Sequence, residues 1–250
     1  MIFDESKKPS VIVPLTGTTT QMLIEQACAA EAAGADVIEW RIDFMIGAHQ
    51  NLSFTSLGRE IIEPILENTT VPLLLTIRTM EQGGQVKLSD GRYRILLAEM
   101  LDTLNYLQVP AERIGIDLEF RFEGTPALCV RAQKLGYTVV LSHHDWNETP
   151  DLEVMYLLFD EMLELKGAVA KLAVTPREES DVDALLATAR KVSRERRRPI
   201  IALSMGELGK RSRLEGWKFG SIATFAAVGE GSAPGQPSVA ELREALNAGG

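Results

Sequence analysis

The chain is poor in the residues that staple a fold, hold a metal or cross a bilayer. Its 250 residues include two cysteines, Cys28 and Cys129, and three histidines. Neither cysteine belongs to a Cys-x-x-Cys pair or to a Cys/His spacing that would suit zinc, so both are expected to be reduced and structural, with no metal bound. No uninterrupted apolar run reaches the roughly 18 residues that suggest a membrane span. The opening MIFDESKKPS lacks the apolar centre of a signal peptide, and a cytoplasmic location is expected. Positive charge is short as well: 26 Lys and Arg against 35 Asp and Glu leave a net charge of -9, which argues against a nucleic-acid surface. The one basic run, RKVSRERRRP, falls near the end of a helical pattern, where cations suit the helix macrodipole. A glycine turn that would cradle a phosphate is missing too, since GTTTQ after the first strand-like run is a poor match to it.

What is present is alternation. Strand-like runs VIVPLT, DVIEWRID, PLLLTIR, IGIDLE, YTVVLS, AVAKLAV, PIIALS and, less clearly, KFGSIATF are separated by segments with helical spacing such as TQMLIEQACAAEAAG and ESDVDALLATARKVSRER. Strands alternating with helices imply parallel strands with helical crossovers. No Ser/Gly-rich linker divides the chain. Eight such units in roughly 250 residues predict an α/β fold, a (β/α)8 TIM barrel over residues 1–250, with 1–10 a short extension. An open doubly wound sheet is the alternative. The glycine-rich VGEGSAPGQPS follows the last strand and reads as a mobile loop.

In a barrel, residues facing the helices are apolar, while inward ones near the carboxyl rim can be polar. The apolar set Ile38, Trp40 and Ile42 leaves Glu39, Arg41 and Asp43 inward; Leu73, Leu75 and Ile77 leave Thr76 and Arg78. Ile114, Ile116 and Leu118 leave Asp117 and Glu119; Tyr137, Val139 and Leu141 leave Thr138, Val140, Ser142 and His144. Of the paired histidines in LSHHDWNETP, His144 is therefore the candidate for chemistry and His143 the bystander. Lys171 alone among the lysines has three apolar neighbours on each side, and parity turns it inward with Val169 and Ala173. Burial disfavours an ammonium and yields the free amine that attacks a carbonyl. A Schiff-base enzyme with a histidine proton shuttle is the reading the residues support.

EWRID, IRTMEQGG, SHHDW, AKLAVTP, SMGELGKRSRLEG, FGSIATF and SAPGQPSV, in this order along nearly the whole chain, resemble the type I 3-dehydroquinate dehydratases. The resemblance implies dehydration of 3-dehydroquinate to 3-dehydroshikimate through a lysine imine, without metal or cofactor, by a homodimer. It makes Lys171 the imine-forming lysine and His144 the general acid/base. It implies that Glu39, Arg41 and Arg78 bind ring hydroxyls, that Arg213 holds the carboxylate, and that Ser232 and Gln236 close over the substrate from a lid at 229–238. Two departures stand out. The ten residues before the first strand-like run are fewer than many relatives use for a hairpin under the barrel, so a short hairpin or none is expected, and Gln82 stands where the family usually has glutamate. The rival readings are a class I aldolase, which would cleave a carbon–carbon bond and lack the SAPGQ lid, and a barrel that binds an anionic metabolite without turning it over.

Overall fold

The computed structural model describes residues 1–3, 8–48, 54–229 and 235–248, without the side chain of Thr55. The strand-like runs form β1 (Ser10–Leu15), β2 (Val37–Arg41), β3 (Leu73–Thr76), β4 (Ile114–Glu119), β5 (Thr138–Asp145), β6 (Val169–Val174), β7 (Ile200–Ser204) and β8 (Ala223–Phe225). They pair in parallel in the order β7-β6-β5-β4-β3-β2-β1-β8. Between β7 and β8 the ring closes more thinly, through a bridge of Ile200 to Ser221 and a bond from Ile222 N to Ile200 O of 2.9 Å. This is the (β/α)8 barrel that the alternation predicts.

Helices return the chain between strands, and local chemistry starts them where the sequence suggests. Thr19 accepts from Met22 N to cap the helix Thr20–Ala32, and Ser89 accepts from Arg92 N to cap Asp90–Tyr106. Glu178 and Asp181 form a capping box at the head of Glu179–Arg196, whose last turn carries Arg194 and Arg196 from the basic run. No described helix is long and apolar enough to cross a membrane.

Two apolar clusters follow from strand parity. The larger one lies between strands and helices and includes fully buried Trp40, Tyr93 and Phe159; each such side chain contributes roughly 1.5–3 kcal/mol of burial. The smaller fills the barrel with Ile12, Val37, Leu74, Val140, Val169 and Ile201. Ile2 and Phe3 join this inner cluster, and Ile2 N donates to Thr138 Oγ1 at 2.9 Å. The first residues thus pack into the barrel, and the described residues before Ser10 carry no strand. Gly115 makes room for them, since a Cβ there would sit 2.5 Å from Ile2 Cδ1.

Two elements differ from the expected bounds. β2 stops at Arg41, and Asp43 lies in the first turn of the helix Ile42–Ala48 rather than on the strand. The reason is its carboxylate, which accepts from Arg41 Nε and Nη2 and from the backbone N–H groups of Arg78 and Gln85. The eighth strand is shorter than its apolar run, because Gly216–Phe219 winds into a 3-10 turn ended by Gly220 at φ 99°.

Candidate active site

Pairing register gathers the inward polar residues at one end of the barrel. Glu119, Ser142 and Lys171 share one line across β4, β5 and β6, while Arg41, Thr76 and Asp117 share another. These residues stand at the carboxyl ends of the strands, where barrel enzymes carry their chemistry. An open cleft lies there. Glu39, Arg41, Arg78, His144, Lys171, Arg213 and Gln236 all line it, as do Gln82, Trp146, Met205 and Phe225. Ser232 lies outside the described residues.

At the centre is a buried charge array. Arg78 donates through Nη2 to Asp117 (2.7 Å) and through Nη1 to Glu119 (3.1 Å) and Ser142 Oγ (2.9 Å). Thr79 gives Glu119 two more bonds, from its N–H and its hydroxyl, each 2.8 Å. Such partners are required, since an unpaired charge here would cost several kcal/mol. Burial opposes charge on Arg78, yet Asp117 and Glu119 outweigh it and keep the guanidinium firmly protonated. Burial also works against the Asp117 carboxylate, but Arg78, Lys171 and Ser142 together hold its pKa below the ordinary value. For Glu119 burial wins and the pKa is raised.

Lys171, 4% exposed, places Nζ 3.4 Å from Asp117 Oδ2, 3.9 Å from Glu39 Oε1 and 4.4 Å from the centre of the Phe225 ring. Glu39 is held in place by the Thr76 hydroxyl at 2.9 Å. Burial lowers the Lys171 pKa; Asp117 and Glu39 oppose the shift and Arg78 and Arg41 reinforce it. The net direction favours the nucleophilic amine.

His144 faces Gln82, whose Oε1 accepts from His144 N at 3.0 Å and lies 3.1 Å from the ring Nδ1. A backbone N–H can only donate, so the amide atom facing it is the oxygen. That same oxygen accepts from Nδ1, which must therefore carry the proton and leave the lone pair on Nε2. Burial, then Arg78, Lys171 and Arg41, push the His144 pKa well below its usual value. A neutral ring with a free Nε2 is a base at neutral pH. His143 belongs to the opposite parity and does not line the cleft.

Across the cleft, Arg213 is 3% exposed and is anchored by Nη1 to Ser204 O (2.9 Å), while its Nε has no hydrogen-bond partner among the described residues. Burial lowers its pKa to about 10, with Glu207 opposing. An under-partnered buried guanidinium is a seat for an anion, carboxylates above all. Gln236 is set at the rim by Gly235, which has φ 70° and approaches Gly206 so closely that a Cβ would lie 2.2 Å from its carbonyl oxygen.

Sequence reasoning passed over Phe225, Met205 and Trp146 as site residues. Parity could have found Phe225 and Met205, which face inward at the ends of β8 and β7, but nothing separates an apolar cleft wall from core in a sequence.

A barrel whose strand ends carry a cleft lined by a buried amine, an imidazole and a guanidinium has the architecture of an enzyme. The model of the family described as type I 3-dehydroquinase matches residues 11–250, and the chain belongs to that family. It is 35% identical over 242 residues to the 3-dehydroquinate dehydratase of Lactiplantibacillus plantarum, covering 96% of this chain and 92% of that protein. The Salmonella paratyphi B 3-dehydroquinate dehydratase is 36% identical over 242 residues, covering 95% and 92%. Among solved structures, the type I enzyme of Clostridium difficile with covalent modified comenic acid superposes with a TM-score of 0.84 at 32% identity, covering 96% and 92%. The reaction of this family is a step of the shikimate pathway.

Proposed function

We propose that this barrel dehydrates 3-dehydroquinate to 3-dehydroshikimate through an imine on Lys171, with His144 moving the protons. The observation that carries the reading is the buried Lys171 amine in the same cleft as the free Nε2 of His144. The amine adds to the C3 ketone and loses water to give a protonated imine, which is an electron sink. His144 Nε2 takes a proton from C2, leaving an enamine. The resulting imidazolium then protonates the C1 hydroxyl, which departs as water as the C1–C2 double bond forms. Hydrolysis of the imine releases the product and restores the amine.

Arg213 is assigned the substrate carboxylate, and Glu39, Arg41 and Arg78 the ring hydroxyls. Arg78 has its two Nη atoms already engaged by Asp117, Glu119 and Ser142, so its larger part is to set the field around Lys171. Gln236 and Ser232, on the 229–238 loop, close over the bound ring. Two free thiols suit a reducing cytoplasm.

A homodimer is supported by the helix Leu152–Glu164. Met155, Leu158 and Phe159 face the core, yet Leu152, Val154 and Leu157 are exposed, so the helix is apolar on both sides. Its groove with the next helix is lined by Leu152, Tyr156 and Leu157 and carries both a Glu153 and a Lys191, so the face offers apolar area and charges of both signs to a second copy.

The test of the mechanism is borohydride reduction in the presence of 3-dehydroquinate, followed by peptide mass mapping. A stable adduct on Lys171, lost together with nearly all activity in Lys171→Ala, is the expected result. An adduct on another lysine, or none, refutes it.

A further inference from the structure

Trp146 is 42% exposed, which for an indole beside a catalytic cleft calls for a reason. Its backbone is fixed from its own side of the barrel. Asp145, the last residue of β5, accepts from Asn147 N (2.9 Å) and Glu148 N (3.1 Å) to close a tight turn. The carbonyl of Asp145 also accepts from the Thr175 hydroxyl at 3.0 Å, tying the turn to the end of β6. From this base the indole packs closely against Gly83: a Cβ on Gly83 would fall 2.1 Å from Trp146 Cζ2, 2.2 Å from Cε2 and 2.4 Å from Nε1. Gly83 also has φ 83°, so both its backbone and its bare face are used.

Gly83 ends the short turn Met80–Gln82, and that turn carries the amide held against His144. The contacts make a closed circuit. His144 leads through Asp145 to Trp146, Trp146 presses Gly83, Gly83 fixes Gln82, and Gln82 returns to His144. The turn has its own bonds, Gly84 N to Thr79 O at 2.7 Å and Met80 N to Val86 O at 2.7 Å, which set its shape. They do not tie it to β5; Gln82 and the indole do.

We infer that Trp146 is a positioning residue that clamps the Gln82 turn onto β5, and so keeps the His144 ring in a single orientation and tautomer. This rests on the reading of His144 as the acid/base, and deepens it. Aromatic area laid on a glycine is a rigid contact with few rotatable bonds, which suits a clamp.

The experiment is 15N NMR of histidine side chains in the substrate-free full chain, which has three histidines, with His144→Ala used to assign the signal. The native protein is expected to show one neutral tautomer for His144, protonated at Nδ1. Trp146→Ala should give mixed tautomers and lower kcat by roughly 10- to 100-fold, the scale of a misplaced catalytic group, with a larger loss in kcat than in KM. Trp146→Phe, which keeps an aromatic ring beside Gly83, should restore both. Gly83→Ala pushes the indole off from the other side and should reproduce Trp146→Ala, with the two losses not additive. A single unchanged tautomer in Trp146→Ala, or in Gln82→Ala, overturns the clamp whatever the activity. Full activity in His144→Ala overturns the acid/base reading instead and leaves the tautomer result standing.

Discussion

The two ends of the barrel interior are built by the same strands with the same parity, yet they are chemically opposite. Read from the amino end, the inward positions run Val37, Glu39 and Arg41 on β2; Leu74, Thr76 and, past its end, Arg78 on β3; Val169 and Lys171 on β6. Each line begins with an aliphatic side chain and then turns polar. Below, Ile2, Phe3, Ile12, Val37 and Leu74 close-pack without a charge. Above, Arg78, Asp117, Glu119, Lys171 and Glu39 are equally dry and persist because each has a partner. The lower half supplies burial energy and rigidity. The upper half spends some of that rigidity on holding an amine, an imidazole and a guanidinium where none would choose to be in water. Changes at one end should therefore be separable from changes at the other.

The largest separation is expected at the top. His144→Ala leaves the Lys171 amine in place but removes the proton shuttle, and should lower turnover roughly 100- to 10,000-fold with little change in melting temperature. His143→Ala, one residue away and on the other parity, should keep most activity. Steady-state kinetics on the two variants decides it, and the reverse pattern would mean that the histidine assignment is wrong.

At the bottom the sign of the comparison inverts. Phe3→Ala empties part of the inner cluster and should cost about 3 kcal/mol, the low end for loss of a buried phenyl ring. Urea unfolding should show this as a lower midpoint, while kcat below the transition stays near native. A matched loss of kcat in fully folded protein would show that the floor and the rim are coupled.

How far this arrangement is legible in the sequence depends on what each residue has to do. Alternation and parity were enough to place Glu39, Arg41, Arg78, Asp117, Glu119, His144 and Lys171 inward, because a charge in an apolar strand has only one tolerable side. Asp43 broke the parity reading, since its hydrogen bonds start a helix two residues earlier than the apolar pattern suggests. Arg213 was reachable only by resemblance. Its neighbours Lys210 and Arg211 do reach out to Glu241 and Asp183 on the surface, and nothing in KRSR says that the third cation turns in to Ser204. Trp146 and Gly83 were invisible as a pair because their contact joins two loops, and loop pairing leaves no period to read.

The finest test concerns Gln82, which lies on the upper end but carries no charge. Its neighbour Glu81 is exposed, whereas Gln82 is 7% exposed and makes both bonds to His144, so the amide and not the nearby carboxylate is the working group. Gln82→Glu is nearly isosteric, and a carboxylate oxygen can still accept from both the His144 backbone N–H and Nδ1. What changes is electrostatic. In the native site burial and the Arg78, Lys171 and Arg41 charges all push the His144 pKa down, and no carboxylate stands among the main opposing influences. A negative charge at position 82 favours imidazolium and raises that pKa. His144 must be neutral to take the C2 proton, so the acid limb of the kcat/KM profile, which reports the free enzyme, should move to higher pH in the variant. At a fixed pH on the acid side of the optimum, Gln82→Glu is then slower than native although its geometry is kept, and the difference closes as pH rises. A shift of the acid limb towards lower pH would contradict the contact, and coincident profiles would mean that the amide oxygen sets the ring's orientation while the field of Arg78 and Lys171 alone sets its charge.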